Sequence, residues 1–414
     1  MEGPSGLPRK EATSMTKIGW LSAPISATTG YGKVSRDILL LLADMGYDVV
    51  NIGGRGAVVT WGEKIYIQTG KGNQVLVLPC WGQVGDAGTV EYYVRRYGIE
   101  VLISLWDAFV LPVIGKPSVP YAAYIPVDAR MTNRWANCLA KADIVMAYSR
   151  FGYNQVLQHF PHFMVRYIPH GVDAEGTFKP CTKKERMHFR DAWGIPRKKF
   201  VFLFLGANMG ERKNIMQLLY TFKKFSENHE DALLYLYTNM FTGYPTGYDI
   251  ASLAEELGIP SKVMGPAFNT MLDSVEDEDL AQLYNCADVT INPSLGEGFG
   301  MSILESQACG TPVIATDNSS MHELVEGHGW LVETVPEDMW VDYPVWVPTL
   351  QHFTVPNLSH LLACMEDAYN NPDKRKEYGR KSREFAEQYD WAQIMPEWEA
   401  LIKELTQTRG QPPG

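Results

Sequence analysis

Glu297 and Glu305 stand eight positions apart in the run PSLGEGFGMSILE, residues 293–305. The apolar run before it, ending at Ile291, has the β-branched content of a strand. The residues after Gly300 have helical spacing, so the run is a strand–turn–helix junction. Gly298 and Gly300 leave room for backbone to approach a ligand. The first N–H groups of the helix lack internal partners and lie at the positive end of its dipole, which makes a phosphate site. Gly310 ends the helix and Pro312 prevents its return. A carboxylate beside a phosphate is electrostatically awkward unless it binds hydroxyls, and ribose and hexose hydroxyls are suitable donors.

Further residues could share this chemistry. The stretch FLGANMGERKN, residues 204–214, follows a strand and carries Gly206, Asn208, Arg212 and Lys213 into the start of a helix. Arg212 and Lys213 are either a cationic partner for phosphate or an exposed helix-start pair. Gly30-Tyr31-Gly32 follows the first strand and opens a helix. Asp128, in IPVD, and its rival Asp107, in LWD, sit where strands end, and ligands of parallel sheets bind beyond carboxyl ends of strands. Either aspartate is alternatively a helix N-cap. His170, in YIPHGVD, fits a hinge turn with a hydrogen-bonded side chain. The acidic run 276–279 precedes an apolar-periodic helix, so it complements the helix dipole better than it suggests a metal.

The elements that must position these residues alternate in βαβ fashion. Strands are predicted over 18–23, 48–52, 75–78, 101–104, 121–125 and 144–147, with a helix over 33–45. A second lobe restarts at 200–205, with strands over 233–237, 262–264, 289–291, 313–315 and 329–332 and helices over 214–228, 250–257, 277–285 and 301–308. Helices over 358–369 and 374–405 close the chain. The fold class is α/β: a flexible tail 1–16, an N-terminal Rossmann-like domain 17–175, a C-terminal Rossmann-like domain 176–385, and a final segment 386–414. The basic cluster Lys183, Lys184, Arg186, Arg190, Arg197, Lys198 and Lys199 is expected to be a solvated linker, the alternative being a patch for an anionic partner. The segment 340–356 interleaves aromatics with prolines and is expected to be an ordered loop.

A chain of 414 residues suggests two domains, perhaps three. The net charge of −11 argues against a nucleic-acid binder with a wholly basic surface. No run of about 18 apolar residues suggests a membrane-spanning helix, and the N-terminus lacks a secretory pattern. The six scattered cysteines contain no CxxC pair, which predicts reduced thiols in a cytoplasmic protein.

With "ADVTINPS" before it and "QACGTPVIA" after it, the 293–305 run resembles the glutamate–seven residues–glutamate motif of retaining glycosyltransferases, closest to glycosyltransferase family 4. The similarity spans roughly residues 17 to 405, strong in the second lobe and looser in the first. It implies the GT-B fold: two Rossmann-like parallel-sheet domains facing a cleft, with the last helix crossing back to the first domain. It places Glu297 against the donor sugar and Glu305 on the nucleotide ribose, with the amides around Phe299, Gly300, Met301 and Ser302 meeting sugar hydroxyls and diphosphate. Lys213 matches the family's diphosphate-neutralising lysine. The family's earlier arginine is absent, Ala207 and Asn208 standing in its place, so its role falls to Arg212 or to another residue. Gly30, Tyr31 and Gly32 match the first-lobe turn near the donor phosphates, and Tyr31 would cap the sugar or line the acceptor site. Asp128 would face the reaction centre, and backbone near Met264, Gly265, Pro266 and Ala267 would meet the base. There is no Asp-x-Asp at a strand end, which fits a metal-independent enzyme without cofactor. The donor is a UDP-sugar first, with GDP and ADP open. The acceptor is a glycan, lipid-linked glycan, small molecule, protein or DNA. The rival functions are a sugar-nucleotide epimerase and a non-catalytic nucleotide-sugar binder.

Overall fold

The structure, a computed structural model, describes residues 16–53, 64–80, 86–133, 135–241, 247–266, 275–339, 341–345 and 349–408. Among the described residues the first lobe holds eight strands: β1 (Lys17–Ser22), β2 (Asp48–Gly53), β3 (Ile65–Gln68), β4 (Gln74–Pro79), β5 (Val101–Leu105), β6 (Tyr121–Ile125), β7 (Ile144–Ala147) and β8 (Val165–Tyr167). They lie in the order β3-β4-β2-β1-β5-β6-β7-β8, and only β3 runs antiparallel to its neighbour. Strands β5, β6 and β7 are buried at every residue, as a sheet covered by helices on both faces requires.

The second lobe has β9 (Phe200–Leu205), β10 (Ala232–Tyr237), β11 (Val263–Met264), β12 (Val289–Asn292), β13 (Val313–Thr316) and β14 (Trp330–Val332), all parallel, in the order β11-β10-β9-β12-β13-β14. In both sheets the order reverses beside the first strand of the lobe, and the crevice at such a switch point is where α/β sheets bind ligands.

Several expectations need correction. The first helix is Gly30–Asp44, not 33–45: Thr29 caps it by accepting from the Gly32 amide, so Gly30-Tyr31-Gly32 is the first helical turn rather than a loop. The 340–356 segment contains an antiparallel hairpin, β15 (Val341–Val345) and β16 (Thr349–Phe353). The basic cluster is a solvated linker only in part: Lys183, Lys184, Arg197 and Lys198 are exposed, but Thr182 and Glu185 form a capping box that starts a helix, Lys183–Ala192, and Arg190 is buried beneath it. The Arg190 guanidinium donates to the carbonyls of Cys286, Arg197 and Lys199 and pairs with Asp288, so it pins the helix to the sheet.

The expected single helix over 374–405 is two, Pro372–Ala386 and Trp391–Thr408. Asp390 interrupts it. Its carboxylate accepts from the Ala174 and Glu175 amides of the interlobe connection and from Ala392, capping the last helix. That helix returns to the first lobe, where fully buried Trp398 packs 5.5 Å from Trp20 and 5.1 Å from Tyr124, ring centre to ring centre.

Candidate active site

The glycine-rich turn leaves β12 and ends at Gly300, whose φ of +99° suits glycine and aims the Met301–Ala308 helix at the cleft. Helix geometry leaves the amides of Met301 and Ser302 without intrahelical acceptors. The turn is laced to the 207–214 loop: Leu295 N–H donates to Arg212 C=O at 2.8 Å, and Asn214 Nδ2 to Pro293 C=O at 3.1 Å. Arg212 and Lys213 are thereby held against Glu297.

Glu297 is 7 % exposed, which makes its partners decisive. Lys213 Nζ is 2.5 Å from its Oε1, Arg212 Nη1 3.3 Å from Oε2, and Ser294 Oγ donates to Oε1 at 2.7 Å. Burial pushes the carboxyl up, but Lys213 and Arg212 outweigh it and hold the pKa near about 2. Ser319 accepts from the Glu297 amide and Ser320 donates to its carbonyl, fixing the turn from behind.

The first lobe closes the other side. Arg212 Nε is 3.9 Å from Asp128 Oδ2. An ideal β-carbon on Gly296 would overlap the Asp128 carbonyl oxygen, and one on Gly298 would stand 2.9 Å from Tyr148 Oη. Tyr31 packs edge-on against Trp106, and burial and then the charge of Asp107 raise its pKa. Burial, then the charge of Asp128, lifts Asp107 to about 6. Asp107 stands at the N-cap position of a 3-10 turn, Ala108–Val110, but its side chain makes no capping bond, and among the described residues no helix starts between Asp128 and Trp135. Both face the ionic cluster instead.

Three carboxylates, Asp107, Asp128 and Glu297, thus meet two cations beside free helix amides. The site can hold an anionic leaving group while a carboxylate stays ionised to receive hydroxyls.

Glu305, 2 % exposed, lies one turn into the helix. Its Oε2 accepts from Tyr284 Oη at 2.8 Å, while Oε1 has no hydrogen-bond partner. Lys33, from the first lobe, stands 3.7 Å from Oε1, 2.6 Å from Asp277 and 3.6 Å from Asp37.

Other expected residues are placed differently. Asn208 binds the backbone of Asn239 and Tyr248 through both ends of its amide, so it fastens the loop rather than facing the cleft. Gly206 approaches Lys213, with 3.6 Å from an ideal β-carbon to Cε. Pro266 is buried, and Ala267 lies outside the described residues. Phe299 is buried in an aromatic cluster with Tyr148 and His170. His170 Nδ1 is 2.8 Å from Tyr124 Oη, and burial lowers its pKa to about 3, so it is a neutral hinge residue. Tyr148, Ser294, Ser319, Lys33 and Tyr284 escape sequence reasoning, because nothing in their local spacing marks them.

The family model described as glycosyl transferases group 1 matches residues 185–343. A D-inositol 3-phosphate glycosyltransferase of Corynebacterium jeikeium is 31% identical over 183 residues, covering 43% of this chain and 42% of that protein. Another, of Corynebacterium kroppenstedtii, is 27% identical over 269 residues, covering 61% and 51%. The chain therefore spans about half the length of the curated relatives it matches. Among solved structures, a sucrose-phosphate synthase of Thermosynechococcus elongatus superposes with a TM-score of 0.74 over 95% of this chain and 100% of that one, at 17% identity. Anabaena HepE, solved with UDP and glucose, gives 0.69 over 94% and 100%, at 16% identity. At such identities the likeness establishes the fold, which is GT-B.

Proposed function

We propose that this chain, which belongs to glycosyl transferases group 1, moves a sugar from a nucleoside diphosphate donor to an acceptor hydroxyl with retention at the anomeric carbon. The observation that carries this reading is Glu297, fixed by Lys213 and Arg212, four residues ahead of the helix-start amide of Met301 at the point where the lobes touch.

The bond from the anomeric carbon to the diphosphate oxygen breaks, and its electron pair leaves with the diphosphate. Arg212, Lys213 and the amides of Met301 and Ser302 receive that charge. Such preorganised donors are each worth about 3 kcal/mol when removed. Glu297 orients the sugar hydroxyls, and the acceptor oxygen attacks from the face the diphosphate leaves, its O–H bond breaking as the proton passes to the departing diphosphate oxygen. Closed lobes keep water from competing. UDP is the first nucleotide to test, since HepE, of the same fold, was solved with UDP and glucose. D-inositol 3-phosphate, named for the relatives, is the first acceptor to try. The six cysteines are free and four of them buried, which suits the cytoplasm. Among the described residues no helix is long and apolar enough to cross a membrane.

The test is a thermal-shift panel of UDP-, GDP- and ADP-sugars followed by assay of diphosphate release with acceptors. Glu297→Ala and Lys213→Ala should each lower turnover at least roughly tenfold, about 1.4 kcal/mol of transition-state stabilisation. Unchanged turnover in both refutes the site. Isomerised donor with no acceptor present indicates an epimerase, and donor-induced stabilisation without diphosphate release under any acceptor indicates a binder.

A further inference from the structure

Between the lobes lies a cavity of about 510 Å³, lined by Lys33 and Asp37 of the first lobe, Asp277, Met301 and Glu305 of the second, and Trp391 of the returning helix. Its volume is in the roughly 300–1,000 Å³ range of small-molecule sites. The polar groups in it are unequally satisfied. Lys33 Nζ is drawn to Asp277 at 2.6 Å, and Arg36 stands 3.7 Å from the same carboxylate. Glu305 is buried, one carboxylate oxygen held by Tyr284 and the other without a hydrogen-bond partner. A buried acceptor left in that state destabilises the fold, a loss that a ligand hydroxyl would recover.

We infer that Lys33 is the first lobe's contribution to the nucleoside half of the donor site: a ribose hydroxyl donates to Glu305 Oε1 and accepts from Lys33 Nζ, so the ribose is gripped from both lobes at once. The inference rests on the donor reading above and deepens it. The 3.7 Å between Nζ and Oε1 is too long for a direct hydrogen bond, yet an oxygen about 2.8 Å from each fits beside it. A hydroxyl is donor and acceptor together, which a carboxylate facing an ammonium demands of whatever sits against both. Asp37 and Asp277 hold the ammonium in place and keep it charged: burial pulls Lys33 down, but these carboxylates and Glu305 outweigh it.

The experiment measures binding of UDP, GDP and ADP by calorimetry, then of the 2′-deoxy and 3′-deoxy forms of the tightest, to the full chain and to Lys33→Met and Lys33→Arg. The full chain should prefer the ribonucleotide at least tenfold over one of the deoxy forms. Lys33→Met should shrink that preference to threefold or less by weakening the ribonucleotide alone, and Lys33→Arg should restore part of it. Should Lys33→Met fail to fold, with carboxylates left uncompensated, the double variant Lys33→Met/Asp277→Asn relieves the imbalance and is held to the same expectation. Undiminished discrimination, or equal weakening of ribo and deoxy forms, overturns the role of Lys33 and leaves the donor reading standing. If no nucleotide binds the unmodified chain, both fall together.

Discussion

Glu297 and Glu305 are both buried, yet their surroundings push them apart. Glu297 faces two cations and stays ionised down to about 2. Glu305 shares one ammonium with Asp37 and Asp277; burial, opposed by Lys33 and aided by those carboxylates, lifts it to about 7. A carboxyl raised in the folded state keeps a proton that the unfolded chain has lost, so stability falls as pH rises from the ordinary 4.5 through about 7. Glu305→Gln removes the ionisation and keeps the shape. Its melting temperature should match the unmodified chain near pH 5 and exceed it by pH 8, by an energy of at most about 3 kcal/mol. A constant gap across that range would show that Glu305 ionises normally. At this scale the sequence marks Glu297, Lys213 and Arg212, because a glycine turn entering a helix is local chemistry. Lys33 and Asp277 are invisible in it. With Asp37 four residues on, Lys33 looks like one end of a surface helix pair, and Asp277 like ordinary first-turn charge. Their meeting depends on how two helices from different lobes face each other.

Arg190 shows what an element asks of a residue that composition alone would leave in solvent. It is the only buried member of the basic cluster over 183–199, and its acceptors lie on two stretches of chain, 197–199 and 286–288. Arg190→Ala leaves the Cys286, Arg197 and Lys199 carbonyls without this donor, and chemical denaturation should show a loss of about 3 kcal/mol. Lys183→Ala and Lys198→Ala, both exposed, should stay within about 0.5 kcal/mol. The strands legible in the sequence are those buried on both faces, such as β6 and β9, where the apolar run is uninterrupted. Strand β3 is missed because it is a half-exposed edge, and β8 because three residues give no period. The break at Asp390 is missed because nothing in the flanking residues disfavours helix. The partners that bend the chain there, Ala174 and Glu175, are more than two hundred positions away.

Across the whole molecule the lobes are joined by several independent contacts around one cleft. Glu323 of the second lobe accepts from the amides of Arg150 and Phe151 at 2.8 and 3.0 Å, so one lobe caps a helix of the other. A charged hydrogen bond is worth about 1.5–3 kcal/mol. Glu323→Ala should therefore shift the protein toward separated lobes, raising the radius of gyration in small-angle scattering and weakening donor binding by about tenfold if the donor needs both lobes. Unchanged scattering and affinity would mean the contact does not hold the lobes together. Gly296 is another of these contacts. It sits where the backbones of the two halves pass with no space for a side chain. A single methyl added there, as in Gly296→Ala, would act as a doorstop: the nucleotide-holding half stays intact, the jaws stay ajar, and bulk solvent reaches the activated sugar. Such a variant should waste its donor, splitting it with water faster relative to productive transfer, and the ratio of free sugar to glycosylated product would reveal it.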